Sequence, residues 1–316
     1  MRRKFLIMMV ISSFLCAVST FAAPGKVLTV GADGSQYEKI QEAIDAAGAG
    51  DTVKILPGIY IENITINKNL TIVGTSKEEV VIRAASIDKP AVFFRGVSDF
   101  SMENLCVETV GAAINISRSS GRIIDSHVAG GRFGISFSGS GMTLKIIDSY
   151  ITALAGAEND GPIGTDLVGI YAYGEASLEI EKTTFERTGT GVSLSNGMNF
   201  LIKNSIFKRN TIGVALNGTA SGSLIENRVF ENVENGVLLN ITSSVILTDN
   251  IFYSNSGHGL DLYLIECTEC GCGGTEFNGT VTGSGNLFDS EEEICPIEYW
   301  EDGFFVIDRD LAVDRQ

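Results

Sequence analysis

Gly191-Val192-Ser193-Leu194-Ser195-Asn196-Gly197-Met198-Asn199-Phe200-Leu201-Ile202-Lys203-Asn204-Ser205-Ile206-Phe207 is a phrase that starts over 22 residues later, at Gly213-Val214. It reads glycine, apolar, any residue, apolar, a short polar turn, an apolar run ending at Asn or Asp, and a large apolar residue three positions on. Glycine followed by an apolar residue recurs at Gly134, Gly169, Gly191, Gly213, Gly236 and Gly259, in steps of 35, 22, 22, 23 and 23 residues. A second file keeps step with it through Asn104, Asp125, Asp148, Lys182, Asn204, Asn227 and Asp249. Three residues beyond each stands Val107, Val128, Ile151, Phe185, Phe207, Phe230 or Phe252. Self-similarity at this period marks a solenoid, in which each unit buries its apolar side only against its neighbours.

Within a period, short runs alternate between apolar and polar: Val192 and Leu194, then Phe200 and Ile202, then Phe207. Runs of three to five residues at period two are strands. Three strands per coil, each paired with the same strand one coil away, predict an all-β, single-stranded right-handed parallel β-helix of about nine coils. The Asn/Asp file falls at the tight corner between second and third strands. There a side-chain amide can bond the coil above and the backbone can enter left-handed space. Lys182 interrupts the file, so a local irregularity is expected beside the single long step.

The chain ends divide the 316 residues further. Arg2, Arg3 and Lys4, an apolar stretch from Phe5 to Val18, and small residues ending at Ala22 predict a secretory signal over 1–22, cleaved after Ala22. Residues 23–50 are expected to hold a strand and a capping helix, 51–264 the β-helix, and 265–316 a cysteine-containing cap and tail. The capping helix is expected at Gln36–Ala47. Ser35-Gln36-Tyr37-Glu38 reads as a capping box, Ile40, Ala43, Ile44 and Ala47 share a face, and Gly48 stops the helix. At the other end the repeat is expected to dissolve after Leu264, with Trp300, Phe304 and Phe305 plugging the stack. Both ends need covering because unpaired strand edges template aggregation.

Composition excludes several functions. The formal charge of −16 becomes −19 once Arg2, Arg3 and Lys4 leave with the signal. So acidic a chain repels phosphate backbones, which disfavours nucleic acid, and it disfavours free polyanions unless metal ions intervene. No later stretch is long enough for a membrane span, so the mature chain is expected in the periplasm or outside the cell. Cys106 is isolated. Cys267, Cys270, Cys272 and Cys295 crowd the C-terminal end and predict two structural disulfides rather than zinc, because only one Cys-x-x-Cys pair is present.

A resemblance attaches to particular phrases. Ile40-Gln41-Glu42-Ala43-Ile44-Asp45-Ala46-Ala47, Gly50-Asp51-Thr52-Val53, Pro57-Gly58-Ile59-Tyr60, Glu62-Asn63 and Asn69-Leu70-Thr71-Ile72-Val73-Gly74 together resemble the opening of pectin methylesterases and the wider pectin-lyase-like superfamily. The later glycine-led coils resemble NosD-type right-handed β-helix repeats. Together the resemblances cover about residues 27–264 and imply a fold. Fold alone does not fix function. The catalytic phrases of pectin methylesterases are missing, so that activity is not expected. Of the polygalacturonase motifs only Gly257-His258-Gly259 is present, where the repeat already places glycine.

By alternation, the outward positions of the first strands are Asn115 and Ser117, Ser136 and Ser138, Tyr171 and Tyr173, Ser193 and Ser195, Ala215 and Asn217, Leu238 and Asn240, then Asp261 and Tyr263. Such a row suits sugars: hydroxyls and amides exchange hydrogen bonds while tyrosine rings offer flat apolar faces. It equally suits plain hydration. The long step inserts residues 152–168, including Glu158, Asp160 and Asp166. Paired carboxylates there would serve as acid and base of a glycoside hydrolase, or would hold calcium; no resident cofactor or metal is otherwise implied.

Three functions follow. The first is a polysaccharide-binding or surface-structural module using Tyr171, Tyr173, Asp261, Tyr263 and His258. The second is a carbohydrate-active hydrolase or lyase in which Glu158, Asp160 or Asp166 is the acid or base and His258 or Asp261 assists. The third, accessory metal handling, is opposed by the scarcity of His and Met on the outward rows. His127, one position before the apolar file and beside Tyr150, is expected to be partly packed. The oligomeric state is left open.

Overall fold

In a computed structural model the described residues are 25–32, 34–154, 167–240, 242–263, 278–295, 303–309 and 311. They wind into a right-handed parallel β-helix of about 11 coils. The first-strand sheet has ten strands, from Ile64–Ile66 to Ile294–Cys295. The second-strand sheet has eleven, from Val27–Val30 to Thr280–Ser284, and the third-strand sheet eleven, from Gly58–Ile61 to Phe305–Ile307. The sheets therefore continue beyond residue 264, with Thr280–Ser284 and Asn286–Phe288 taking their places beside Ser244–Thr248 and Ile251–Tyr253. The coil count exceeds nine because the first coils lack the glycine phrase and the last are interrupted by an insertion.

Glycine opens the repeat because of space. In Gly134, Gly169, Gly191, Gly213 and Gly236 an added Cβ would lie 2.5 Å from the carbonyl oxygen of the next glycine in the file. Any side chain would have to push neighbouring coils apart, so the phrase is a record of close approach rather than of turn geometry.

Inside, Val107, Val128, Ile151, Phe185, Phe207, Val229, Phe252 and Phe288 stand in one register file and are buried. Phe185 stacks on Phe207 with centroids 4.8 Å apart and planes 3° apart. In-register identity lets flat rings pack at the strand spacing. Val229, not Phe230, occupies this file; Phe230 faces outward and stacks on Tyr253 at 4.6 Å.

The one-residue difference arises at the corner. Left-handed backbone occurs at Asn104, Asp125, Asp148, Lys182, Asn204, Glu226 and Asp249, with φ between 44° and 55°. Glu226, not Asn227, takes that conformation, and Lys182 takes it at φ 49° without disturbing its coil. The bonds between coils come from the next position. Ser126 N donates to Ser149 Oγ, Ser149 N to Thr183 Oγ1, and Thr183 N to Ser205 Oγ. Ser205 N then donates to Asn227 Oδ1, Asn227 N to Asn250 Oδ1 and Asn250 N to Asn286 Oδ1, at 3.0 to 3.2 Å. Geometry and hydrogen bonding are thus divided between adjacent residues, so Lys182 interrupts nothing.

A second buried ladder, unanticipated from the repeat, runs at the corner into the next first strand. Thr188 N donates to Asn210 Oδ1, Asn210 N to Asn232 Oδ1 and Asn232 N to Asn255 Oδ1. Each rung pairs a buried backbone donor that would otherwise be unsatisfied.

The capping helix is shorter than expected, Ile40–Ala46, and its N-cap Lys39 makes no side-chain cap bond. Glu62 caps it instead, its two carboxylate oxygens accepting from Ile40 N and Gln41 N at 2.9 and 3.0 Å. Gln36 is drawn elsewhere: its Oε1 accepts from Thr29 N. The strand-like backbone at Tyr37 bonds Thr29 and Gly31, covering the edge of Val27–Val30. Gln41 covers the edge of Ile64–Ile66, its Oε1 accepting from Thr65 N and its Nε2 donating to Thr65 O. Ile59 and Ile61, on the third edge at this end, are exposed. At the other end Phe304 is buried and Phe305 lies edge-on to Phe288 at 6.0 Å; Trp300 lies outside the described residues.

Candidate functional site

The strand register sets the outward rows of the first-strand sheet as alternation required. One row runs Phe93, Asn115, Ser136, Tyr171, Ser193, Ala215, Leu238, Asp261; the other includes Arg95, Ser117, Ser138, Tyr173 and Ser195. The strands Phe133–Ser138, Val168–Tyr173 and Thr190–Ser195 begin one residue before the glycine, and this adds a third row in which Phe133 pairs with Val168 and Val168 with Thr190.

That extra row completes an aromatic platform. Phe133 and Tyr171 have ring centroids 5.7 Å apart, and Tyr171 and Tyr173 5.3 Å, with interplanar angles of 32° and 38°. Tyr173 is 39% exposed. The Arg132 guanidinium lies 5.3 Å from the Phe133 centroid. An open groove of about 780 Å³ beside the platform is lined by Gly131, Arg132, Phe133, Val168, Tyr171 and Ser193. Arg132 and Phe133 were missed in the sequence because they precede the glycine that seemed to open the strand.

The other expected ligand residues are not gathered here. Asp261 is four strands from Tyr171, roughly 19 Å at the strand spacing, and is buried, accepting from Asn235 Nδ2 at 3.0 Å. His258 is held at the same end: its backbone N donates to Asn235 Oδ1, and its Nδ1 lies 2.6 Å from Glu292 O. These contacts fix a corner rather than extend the platform. Tyr263 ends the strand Leu260–Tyr263, opposite Asn240. Glu158, Asp160, Asp166, Cys267, Cys270 and Cys272 lie outside the described residues, as do 1–22; Cys295 is buried in the last first-sheet strand. Among the described residues no group of His, Cys, Asp and Glu is arranged to hold a metal, and no helix is long and apolar enough to cross a membrane.

Titratable groups on the third-strand sheet serve structure. Tyr150 donates to Glu186 Oε2 at 2.7 Å, while Lys208 and Arg209 approach the same carboxylate at 3.2 and 3.4 Å. Burial and the Glu186 contact push the Tyr150 hydroxyl up to about 12. Burial would also raise Glu186, but the bonds from Tyr150 and Lys208 and the nearby cations hold its carboxyl below the usual value. Three partners thus hold this carboxylate in place between neighbouring coils. His127 packs edge-on to Tyr150 at 5.1 Å, and burial lowers its titration. Burial, reinforced by Glu108, pushes the Cys106 thiol up to about 12, leaving it an unreactive free cysteine.

Comparison with known proteins places this geometry. A family model described as the right handed beta helix region matches residues 164–308. No curated protein matches the sequence. Among solved structures, the chain is similar to pectate lyase Pel9A, with a TM-score of 0.62, 13% identity and coverage of 84% of this chain and 76% of that one. It is similar to the pectin methylesterase from Aspergillus niger, with a TM-score of 0.51, 16% identity and coverage of 92% and 94%. It is also similar to an alginate lyase from Paenibacillus sp. str. FPU-7, with a TM-score of 0.51, 12% identity and coverage of 83% and 95%. At such identities the likeness is one of fold. Coil geometry, family-model match and structural likeness agree that this chain folds as a right-handed parallel β-helix, the fold of those three proteins.

Proposed function

We propose that the chain is an exported polysaccharide-binding module that holds a sugar chain on its first-strand face, over Phe133, Tyr171 and Tyr173. The observation that carries this reading is the three-ring platform beside a groove, set among serine and asparagine side chains. Flat rings stack on sugar faces while hydroxyls and amides match sugar hydroxyls. The fold is one that polysaccharide-active enzymes share. On this reading residues 1–22 are the export signal, and Cys267, Cys270, Cys272 and Cys295 pair to tie down the C-terminal end. No cofactor is needed for binding, and calcium at the 152–168 loop is the one ion the reading admits.

Local charge refines the ligand. The strands Val92–Arg95, Ala112–Ser117, Phe133–Ser138, Val168–Tyr173, Thr190–Ser195 and Ile212–Leu216 contain no carboxylate, whereas Arg95, Arg118 and Arg132 lie in or beside them. These six strands thus oppose the molecule's −16, with Glu175 two residues past Tyr173 and Asp261 four strands away, and they favour an acidic glycan over a neutral one despite the overall repulsion. Retention of the full chain on polygalacturonate, alginate and a neutral glucan tests this. Retention on an acidic glycan, weakened about tenfold or more in Kd by Tyr171→Ala with Tyr173→Ala, is expected. No retention, or a double variant that binds like the parent, overturns it. Release of product from any of the glycans, abolished by Asp160→Asn, would make the chain an enzyme instead.

A further inference from the structure

The second buried ladder ends in a different chemistry from the one it carries along the stack. Every rung from Thr188 to Asn232 hands its backbone N–H to an asparagine amide oxygen. At the last rung, Asn255 N and Nδ2 donate to Oε1 and Oε2 of Glu293, at 2.8 and 2.9 Å. Glu293 also closes the glycine file: a Cβ on Gly259 would lie 2.3 Å from its Oε2. One carboxyl therefore ends both this corner's ladder and the glycine file beside it.

That carboxyl is 3% exposed, and among the described residues no cation pairs with it. Among the described residues the ionisable groups around it are Asp289, Glu291 and Glu292 on its own turn, His258 on the facing corner with its Nδ1 at Glu292 O, and Asp261 on the adjoining strand, bonded to Asn235. An amide in this place would be neutral at every pH. A carboxyl is not, and a buried anion without a counter-charge is costly.

We propose that Glu293 is a pH-sensitive latch whose protonation sets how firmly residues 286–295 sit on the last coil of the stack. Burial lifts its carboxyl to about 7, with the Asn255 and Gly259 donors opposing the rise and the Asp289 charge adding to it. Its ordinary value is 4.5. The docked form therefore holds the proton more tightly than the undocked form. Docking is firmest at low pH, weakens as pH climbs from about 4.5 to about 7, and is steady above that. Across this window the undocked population should rise on the order of a hundredfold.

Amide exchange of residues 286–295 in the full chain, followed through this pH range and corrected for intrinsic exchange, tests the latch. Protection is expected to fall with rising pH in the parent and to stay level in Glu293→Gln, whose oxygen still accepts from Asn255 N. Asp289→Asn, which leaves the latch in place, should shift the midpoint to lower pH and keep the slope. A flat profile in the parent, or the parental slope persisting in Glu293→Gln, overturns the proposal. Glycan retention is not the readout, so failure here leaves the reading of the first-strand face untouched.

Discussion

Glu226 and Asn227 are chain neighbours, and glycine substituted at each should move stability in opposite directions. Glu226 has φ 55°, a left-handed conformation that costs an ordinary residue about 1–2 kcal/mol. Glu226→Gly removes that strain but returns about 0.5–1 kcal/mol through the freedom of the unfolded chain, leaving a change between zero and about 1.5 kcal/mol of added stability. Asn227 is fully engaged: its Oδ1 accepts from Ser205 N at 3.0 Å, and its Nδ2 donates to Asn250 Oδ1 at 3.0 Å and to Ile202 O at 2.9 Å. Asn227→Gly strands the buried Ser205 donor, which alone costs about 1–3 kcal/mol. It also strips Ile202 O of the amide donor and leaves a void. A total loss of about 3–5 kcal/mol is expected. Urea unfolding followed by circular dichroism reads both as shifts in midpoint at unchanged slope. If Glu226→Gly proves the more damaging of the two, or Asn227→Gly stays within about 1 kcal/mol of the parent, the division of labour between the two positions is wrong.

Two further perturbations probe the stack. Gly191→Ala places a Cβ 2.5 Å from Gly213 O and should cost about 2–3 kcal/mol by the same assay; a gain, as expected of glycine in open space, would contradict the close-approach account. His127 titrates below its ordinary 6.5, chiefly through burial, with Glu108 pulling the other way. The unfolded chain therefore binds its proton first on acidification. Its contribution is full above 6.5 and drains away as pH falls through the lowered native value. His127→Phe should flatten that part of the stability profile, and identical acid limbs in both proteins would rule the histidine out as the cause.

The fold was legible because a coil returns each side chain to the same place, so periodicity in the chain becomes adjacency in space. Gly134 to Gly259 fall in register for this reason, and so do Tyr171 and Ser193. The corner failed by one residue. Asn and Asp are the residues of left-handed corners, and Asn227 looked like such a corner; Glu226 turns the chain there because Asn227 is worth more as a buried hydrogen-bonding group. The capping box failed because Glu62, more than 20 residues away in sequence, reaches the helix start. Half of the platform was legible: Tyr171 and Tyr173 were found by alternation, and Phe133 was lost to a strand boundary set by the glycine. Asp261 lay in the right row but four strands away, and His258 at a corner beside it.

A stack of like rungs has no inherent length, since each coil offers the next the same unfilled donors and acceptors that it met itself. Its extent must be written by groups that accept a rung without presenting another. Gln41 does this with a single side chain: one amide imitates the facing half of a peptide to Thr65 and leaves nothing behind it to be copied. The backbone at Tyr37 does the same for a second edge. Where polymerisation of β-solenoids is a matter of what the terminal rung shows to solvent, these few bonds blunt two of the three edges at the N-terminal end of the described coils.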